Sequence, residues 1–358
     1  MVSVGNEQLN GSVATATSTV AVTGASGLVG RAVLRALSAT PTVDRIVAID
    51  LREPADRPEG TERRTGDILT ADLVTWFEGV DTVIHLAAIV DPIIDETLAA
   101  QVNVIGTRRV LDAAAAAGVT RVVRVAPATV YGAWPTNPQP LTEDAPLRPV
   151  PGQTTAAHAA EVERFLIDWR ADHPEVTVTT LRTAPVLGRG ADHAWARVLV
   201  GPWRPRVRGA ANPVQVVHPD DVAAAVLTAV AGDLPGAYNV AAPGAMAAAD
   251  LDALVGGRWN PALPAELLTR ILGRSFSSGA GRVSPSVVAH LEHPWVLATD
   301  RLATAGWRPR FTNEECILEA LEGRPAGRPV PGAVPRGVLA IGAVVLGAFV
   351  LARSRRGR

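Results

Sequence analysis

The stretch that decides the fold is Val20-Ala-Val-Thr-Gly-Ala-Ser-Gly-Leu-Val-Gly30. It opens with a β-branched apolar run, places glycines at spacings of three (Gly24, Gly27 and Gly30), and leads into a helical apolar pattern. In such a strand, turn and helix, the backbone can approach a pyrophosphate closely, and the helix N-terminus offers unpaired N–H groups and a positive dipole. The stretch therefore predicts a dinucleotide site in a Rossmann-type domain.

Short apolar runs alternate with helical patterns beyond this turn. The strand candidates are 20–22, 46–49, 83–84, 122–125 and 176–181. Helical patterns lie between them, at Val29, Val33, Leu34 and Leu37 and over 95–117. Runs without a polar alternate face are typical of parallel strands covered by helices on both sides. We predict an α/β fold: a Rossmann-type doubly wound parallel sheet with a smaller C-terminal substrate lobe and a candidate C-terminal transmembrane helix.

Composition and local pattern divide the chain into six segments. In order, these are a flexible N-terminal arm (1–17), the dinucleotide-binding Rossmann domain (18–183), the substrate lobe with some strands returning to the core (184–322), a linker (323–336), a candidate membrane anchor (337–352) and a basic tail (353–358).

The candidate anchor, 337–352, contains no charged residue and is followed by arginines. A helix of that length spans roughly 24 Å against a hydrocarbon core of about 30 Å, so it would need a thinned bilayer or snorkelling arginines. The alternative is a C-terminal helix buried against the globular part. Because the first residues lack the pattern of a secretory signal, we expect a cytoplasmic domain attached to the cell membrane by this segment.

The charge balance excludes several classes of function. The chain has 34 basic residues, all of them arginine, and 35 acidic residues, which gives a formal net charge of −1. The chain therefore lacks the broad positive field that would predict nucleic-acid binding. The seven histidines are dispersed and Cys316 is the single cysteine, so we predict neither a metal site nor an internal disulfide. We expect small-molecule partners, and the composition is compatible with a homodimer.

Asp50 ends the second predicted strand, where a carboxylate can accept hydrogen bonds from the adenosine ribose hydroxyls of NAD. A carboxylate there repels the 2′-phosphate of NADP. The nearby Arg52 could partly reverse this preference, so NAD is favoured and NADP is the alternative.

Further short segments occur in a set order along the chain. They are Thr23-Gly-Ala-Ser-Gly-Leu-Val-Gly30, Gly66-Asp67-Ile68, His85-Leu-Ala-Ala88, Asn103-Val-Ile-Gly-Thr107, Val130-Tyr-Gly132, Val217-His-Pro-Asp-Asp-Val222, Tyr238-Asn-Val240 and Gly306-Trp-Arg-Pro309. Residues 18–322 thereby resemble the extended short-chain dehydrogenase/reductase family, the NAD-dependent epimerase/dehydratase group of nucleotide-sugar epimerases and hydroxysteroid dehydrogenase relatives. With the glycine turn, the resemblance implies these cofactor-binding residues: Gly24, Ser26, Gly27, Leu28, Val29, Gly30, Asp50, Arg52, Asp67, Ile68, Leu86, Ala87, Ala88 and Asn103.

The catalytic residues of that family have no counterparts here. The family uses a tyrosine acid/base, a lysine four residues later, and a serine or threonine that orients the substrate. The resemblance places the hydroxyl at Pro127, the tyrosine near Thr155 and the lysine near Ala159. No alignment shift restores the pair, since the chain contains no lysine and its two tyrosines are Tyr131 and Tyr238.

Loss of this pair lowers the expected rate of hydride transfer. A positioned general acid/base contributes about 10² to 10⁴ in rate, and an unassisted tyrosine has a pKa near 10, so roughly 3 to 5 kcal/mol of barrier lowering is absent. The candidate substitutes are His158, Thr155 and Tyr131, with the hydroxyls of Thr154 and Thr129 as further donors beside them. In the substrate lobe, Arg204, Arg206 and Arg208 alternate, a spacing that on a strand would direct all three toward a diphosphate or carboxylate; the alternative is a solvated basic loop.

Three hypotheses about function follow from the sequence. The first is a membrane-associated, NAD(P)-binding protein of the epimerase/dehydratase type that lacks the tyrosine and lysine and acts as a sensing or scaffolding module. The second is an oxidoreductase or nucleotide-sugar epimerase with an unconventional acid/base, acting on a nucleotide sugar or a hydroxysteroid-like molecule. The third is a structural membrane partner whose Rossmann fold is vestigial.

Overall fold

Seven parallel strands form the central sheet of the computed structural model, which describes residues 18–53, 57–256 and 261–323. In spatial order the strands run β3-β2-β1-β4-β5-β6-β7. Their bounds are β1 Ser18–Thr23, β2 Val43–Asp50, β3 Glu62–Thr65, β4 Thr82–His85, β5 Arg121–Pro127, β6 Thr177–Thr183 and β7 Gly236–Val240. All six neighbouring pairs are parallel, which confirms the predicted doubly wound sheet.

Twelve α-helices connect and flank the described strands. They are α1 Leu28–Ser38, α2 Leu73–Trp76, α3 Glu96–Ala100, α4 Thr107–Ala116, α5 Thr154–Asp172, α6 Ala194–Val200, α7 Pro219–Gly232, α8 Ala248–Val255, α9 Ala265–Ser277, α10 Val287–Glu292, α11 Asp300–Thr304 and α12 Asn313–Glu322. The helical pattern predicted over 95–117 is confirmed as α3 and α4 joined by a π-helical segment, Gln101–Gly106.

Helices cover both faces of the sheet, as the continuous apolar strands require. On one face α1 and α7 pack together, with Leu34 of α1 and Val226 of α7 fully buried in one core cluster. On the other face α4 and α5 bury Leu111 and Leu166 against the strands. Between β1 and β4 the strand order reverses, so the loops that leave these two strands diverge and open a crevice at the carboxyl edge of the sheet.

The two edge strands, β3 and β7, were not among the strands predicted from apolar runs, because an edge strand is less buried than a central one. β3 reads Glu-Arg-Arg-Thr and pairs on one side only, so burial does not select apolar residues there. β7 is half-buried and lies within the segment predicted as the substrate lobe. In β5 the predicted continuous apolar run is wrong at Arg124, a buried arginine within it.

A separate core cluster lies in the segment after β6. Leu199 of α6, Leu251 of α8 and Leu268 of α9 are buried in one cluster. Cys316 of α12 lies in the same cluster with no exposed surface, and burial raises the pKa of its thiol to about 12.

The predicted arm (1–17), the candidate anchor (337–352), the basic tail and the linker beyond Gly323 lie outside the described residues. Within the ranges that the structure describes, no helix is both long and apolar enough to cross a bilayer.

Asp221, in α7, holds the segment that precedes α12 against α7. Its carboxylate has no exposed surface and accepts the backbone amides of Arg310 at 2.8 Å and Phe311 at 3.0 Å. The indole of the buried Trp307 donates to the Asp221 carbonyl at 3.1 Å. One buried carboxylate thus pairs two consecutive backbone amides of the segment that leads into α12.

We therefore expect Asp221→Ala to lower the free energy of unfolding by about 2 to 4 kcal/mol. A hydrogen bond to a charged group contributes roughly 1.5 to 3 kcal/mol, and water can replace the one at the exposed Arg310 more readily than the one at the half-buried Phe311. Urea denaturation measures the change. The adjacent Asp220 is the matched control, because its ion pair with Arg35 lies at the surface and Asp220→Ala should cost less than about 1 kcal/mol. Equal losses in the two variants would contradict this role of Asp221.

Candidate functional site

The glycine turn lies where two strands and one helix meet with no room for side chains. Gly24 has φ +73°, and a Cβ there would lie 2.5 Å from the Ala87 nitrogen and 2.6 Å from the Leu86 carbonyl carbon. A Cβ on Gly30 would lie 2.3 Å from the Gly24 carbonyl oxygen. All three distances are far below contact distance, so Gly24 and Gly30 are required by backbone packing as well as by any ligand.

The first turn of α1 carries no capping side chain. Gly27 is the N-cap residue, without a side-chain hydrogen bond, and the first turn contains no acidic residue. Leu28 and Val29, the first helical residues, are half-buried. The amides and positive dipole of this helix end therefore suit the pyrophosphate of a dinucleotide.

Asp50 stands beside this turn, at the end of β2. One carboxylate oxygen accepts the Ser26 amide at 2.9 Å, and the other accepts the Arg52 amide at 3.2 Å. The Ser26 hydroxyl closes the loop by donating to the Arg52 carbonyl at 2.7 Å. Each carboxylate oxygen keeps a lone pair for a ribose hydroxyl, and the Arg52 side chain is exposed nearby, so the geometry keeps both cofactor alternatives open.

The segment after β3 forms a second wall. Asp67 accepts the Leu69 amide at 2.9 Å and so shapes the turn. Ile68 is buried beneath the π-helical segment, where a Cβ on Gly106 would lie 2.7 Å from the Ile68 Cδ1 atom. Arg109 of α4 donates to the Ile68 carbonyl at 3.1 Å. Gly106 thus lets the helix approach the segment that contains Asp67 and Ile68.

The loop after β4, which contains Leu86, Ala87 and Ala88, is held in place by hydrogen bonds from the side chain of Asn103. Asn103 binds the backbone of Ile89 twice, accepting its amide at 2.8 Å and donating to its carbonyl at 3.0 Å. The predicted cofactor residue Asn103 therefore uses its side-chain amide to position this loop.

His85 lies under the same loop, between two threonines. Thr107 donates its hydroxyl to the Asn103 carbonyl at 2.8 Å, so it accepts a hydrogen bond from His85 Nε2 at 2.9 Å. His85 Nδ1 then accepts from the Thr23 hydroxyl at 2.7 Å. Burial, with the nearby Arg124 charge, lowers the pKa of His85 to about 3, so the neutral ring joins β1, β4 and α4.

Tyr131 follows the end of β5 and is only 1% exposed. Its hydroxyl donates to the side-chain oxygen of Asn239 at 2.8 Å and accepts from Arg182 at 2.6 Å. Burial raises the pKa of Tyr131 to about 12. The structure thus places this candidate acid/base in a hydrogen-bonded core, with its hydroxyl already paired.

The start of α5 holds the other two candidates. Thr155 is half-buried, and the neighbouring Thr154 donates to Glu96 at 3.1 Å. His158 is half-buried; its Nδ1 atom has no hydrogen-bond partner among the described residues, and burial lowers its pKa.

Comparison with known proteins places these features in a family. Residues 20–241 match the NAD dependent epimerase/dehydratase family. The chain belongs to the NAD dependent epimerase/dehydratase family. An uncharacterized protein of Mycobacterium tuberculosis (strain ATCC 25618 / H37Rv) is 26% identical over 318 residues, which cover 85% of this chain and 84% of the relative.

Solved structures share the fold. The UDP-glucose 4-epimerase of Thermus thermophilus in complex with NAD has a TM-score of 0.67 and 22% identity, over 88% of this chain and 100% of its own. The dTDP-glucose 4,6-dehydratase of Streptomyces venezuelae with NAD and TYD bound has a TM-score of 0.67 and 21% identity, over 85% of this chain and 96% of its own.

A buried charge network that the sequence did not reveal joins the exits of β5, β6 and β7 to α5. Arg182 of β6 binds both carboxylate oxygens of Glu163 on α5 at 3.1 Å and also contacts Tyr131. Asn239 donates its backbone amide to Glu143 at 2.8 Å. Arg182 could have revealed this network from the sequence, since it is the one charged residue of the strand β6. An arginine buried in a central strand requires an acidic partner.

The three arginines of the substrate lobe do not form the face that a strand would give them. Only Val207 in this stretch makes a β-bridge, so the segment is a loop. Arg204 and Arg206 converge on the carboxylate of Asp252, at 2.8 and 2.9 Å, whereas Arg208 is exposed. Two of the three predicted residues are therefore brought together, but by an acidic side chain of this chain.

The neutral state of His85 makes a testable link to pH. An unfolded histidine has a pKa near 6.5, so the unfolded chain binds a proton between pH 6.5 and about 3 that folded His85 does not bind. Stability from this site is constant above pH 6.5 and falls as pH falls through that window, by about 1.4 kcal/mol per pH unit.

We expect His85→Gln to reduce the pH dependence of the unfolding free energy between pH 6 and 4 by the equivalent of one proton. Urea denaturation at several pH values measures the slope for the variant and the unmodified chain. Parallel curves for the two proteins would contradict a neutral, buried His85.

Proposed function

We propose that this family member is an NAD(H)-binding module with a sensing or scaffolding role, and that it does not use the tyrosine–lysine route of catalysis. One observation carries the proposal. The glycine turn is closely packed and uncapped, as a dinucleotide site requires, whereas the adjoining ends of β5 and α5 carry Pro127, Thr155 and Ala159 at the positions that the resemblance assigns to catalysis.

The residues around the turn fit NAD. The backbone of Gly24, Gly27 and Gly30 leaves the α1 N-terminus open to phosphates, and Asp50 is held by two amides in a position suited to ribose hydroxyls. When bound, NAD supplies a hydride acceptor. The named solved structures of similar fold contain NAD, which supports NAD here, and the exposed Arg52 keeps NADP as the alternative.

The chemistry of the chain's own side chains supports slow or absent turnover. Pro127 has no donor, and Thr155 is a weak acid whose neighbour four residues on is Ala159, where the family's lysine would supply a charge. Without these groups roughly 3 to 5 kcal/mol of barrier lowering is missing, which corresponds to about 10² to 10⁴ in rate.

His158 favours a second candidate function, an oxidoreductase or nucleotide-sugar epimerase with an unconventional acid/base. Its Nδ1 atom is buried and has no partner among the described residues, and burial favours the neutral ring, which can accept a proton. The substrate would be a nucleotide sugar or a hydroxysteroid-like molecule. Attachment of the chain to the membrane by residues 337–352, the cytoplasmic location and a homodimer stay predictions.

Cofactor binding is tested by calorimetric titration of the full-length protein with NADH and NADPH. We expect NADH to bind more tightly than NADPH, and Gly30→Ala to abolish binding because its methyl group would lie 2.3 Å from the Gly24 carbonyl. Gly273→Ala is the matched control, since that α9 glycine meets only Pro285, at 4.0 Å, and should bind as the unmodified chain does. Absence of NADH and NADPH binding in the unmodified chain would overturn the proposal and favour a vestigial site.

Turnover separates the two candidate functions. An epimerase returns the hydride to its substrate and leaves no net NADH, so both nicotinamide absorbance and the products must be followed. We expect neither an absorbance change nor, by chromatography, an altered sugar or steroid when the NAD-loaded protein is mixed with UDP-glucose, dTDP-glucose or a hydroxysteroid panel. If turnover is seen, the second candidate predicts that His158→Ala lowers kcat by about 10² or more and that the control His173→Ala, at the far end of α5, does not. Turnover that His158→Ala leaves unchanged would exclude His158 as the acid/base.

A further inference from the structure

Arg124 is a buried cation in β5, a central strand of the sheet. It is only 5% exposed, and its Nη1 atom has no hydrogen-bond partner among the described residues. Burial lowers the pKa of Arg124 to about 10, so the guanidinium still carries its charge at neutral pH. A buried charge is strongly unfavourable unless it is paired and hydrogen-bonded. Arg124 therefore requires a compensating group.

The position of Arg124 is on the face of the sheet that α5 covers. Side chains alternate between the two faces of a strand, and Val122, two residues before Arg124, packs in one cluster with Leu166 of α5. Thr180 of β6 pairs directly with Arg124 and so lies on the same face. Thr180 is 1% exposed, and its hydroxyl also has no partner in the described part of the chain. Two adjacent buried side chains thus have unused hydrogen-bonding atoms.

The buried carboxylates of this region are engaged by other cations. Glu163 of α5 is bound through both carboxylate oxygens by Arg182. Glu143 accepts the Asn239 amide at 2.8 Å, and its second oxygen lies 3.7 Å from Arg301. Each carboxylate is therefore already matched by one arginine.

A third arginine adds to the positive charge on this face. Arg170 of α5 donates to the Val178 carbonyl at 3.1 Å, whereas its Nε atom is buried without a partner among the residues described. After burial, which has the largest effect, the charges of Arg170 and Arg182 further lower the pKa of Arg124. Three guanidinium groups thus share one carboxylate, that of Glu163, and the region carries a surplus of positive charge.

The unused atoms select the chemistry of a ligand. A guanidinium N–H can only donate a hydrogen bond, and a hydroxyl can donate as well as accept. A water molecule could accept these bonds, but its own two hydrogens would need acceptors in a region whose carboxylates are already bound. An anion accepts from every donor and also offsets the surplus charge. A monatomic anion suits so few donors better than sulfate or phosphate, each of which presents four oxygens.

We infer that a chloride ion binds between β5, β6 and α5, where it accepts hydrogen bonds from Arg124 Nη1 and the Thr180 hydroxyl beside the charge of Arg170. The ion pairs the buried arginine and thereby stabilises the folded chain. This inference goes beyond the proposed function and does not require NAD, because none of these three residues belongs to the predicted cofactor site.

Urea denaturation of the full-length protein tests the site with sodium chloride and sodium bromide as probes. Sodium gluconate, whose bulky organic anion cannot enter a buried site, keeps the ionic strength constant. Replacing about 200 mM gluconate by chloride or bromide should raise the ratio of folded to unfolded chain about threefold or more, since a site with a Kd of about 100 mM multiplies this ratio by 1 + [L]/Kd.

Three variants separate this site from a general salt effect. Arg124→Met should abolish the halide effect, and it should still fold because an apolar side chain in place of a buried charge is often tolerated. Thr180→Val, which keeps the side-chain shape but lacks the hydroxyl, should weaken the effect. Arg121→Met is the matched control on the same strand, since Arg121 pairs with the exposed Asp233 at 3.3 Å, and should retain the full effect.

Crystals of the full-length chain grown in sodium bromide locate the ion directly by anomalous scattering. We expect a bromide peak in contact with both Arg124 and Thr180. A peak without any halide effect on stability would mean an adventitious ion only and would overturn the inference. Water in place of bromide at this position would overturn it as well.

The stability measurements can also refute the site by themselves. Equal stability in chloride and gluconate, an undiminished halide effect in Arg124→Met or Thr180→Val, or loss of the effect in Arg121→Met would each overturn the inference. NADH titration of the same samples keeps the two proposals distinct. NADH binding without a halide effect refutes the chloride site alone, and a halide effect without NADH or NADPH binding refutes the proposed cofactor function alone.

Discussion

The close approach of backbone to backbone at Gly24 is the constraint on which the rest of the molecule depends. At this point the turn after β1 lies against the exit of β4, and a single methyl group would overlap the Leu86–Ala87 peptide. The contact sets the distance between the two central strands where the strand order reverses. α1 can then begin at Leu28, directly above the crevice, and the loop fastened by Asn103 forms the other side.

A second, electrostatic constraint acts on the adjoining strands. The ion pair of Arg182 and Glu163 ties β6 to α5, and Tyr131 and Asn239 extend it to the exit of β5 and to β7. A buried arginine without its carboxylate would cost several kcal/mol, so these residues act as a unit. The network therefore fixes the exits of β5, β6 and β7 relative to the chain's longest described helix, α5.

The sequence was sufficient for the central sheet and the glycine turn, because apolar strands and crowded glycines leave local patterns. It was insufficient wherever a property depends on partners distant in the chain. β3 was missed because an edge strand can be polar, and Arg124 was overlooked inside an apolar run. Arg204 and Arg206 are paired by Asp252, and Arg182 is paired by Glu163, each partner being distant in sequence. No spacing rule relates such residues before the chain has folded.

The charged residues of β3 have a consequence for contacts between molecules. An outer strand exposes unpaired N–H and C=O groups, to which another polypeptide can add and so begin an aggregate. Here Glu62 binds Arg45 and Arg64, and Arg63 binds Glu53, so the outer strand is crowded by bulky, hydrated ion pairs. At the opposite margin α11 packs against β7. A wide parallel sheet, whose strands are individually suited to cross-β stacking, is in this way shielded on both sides from growth into fibrils.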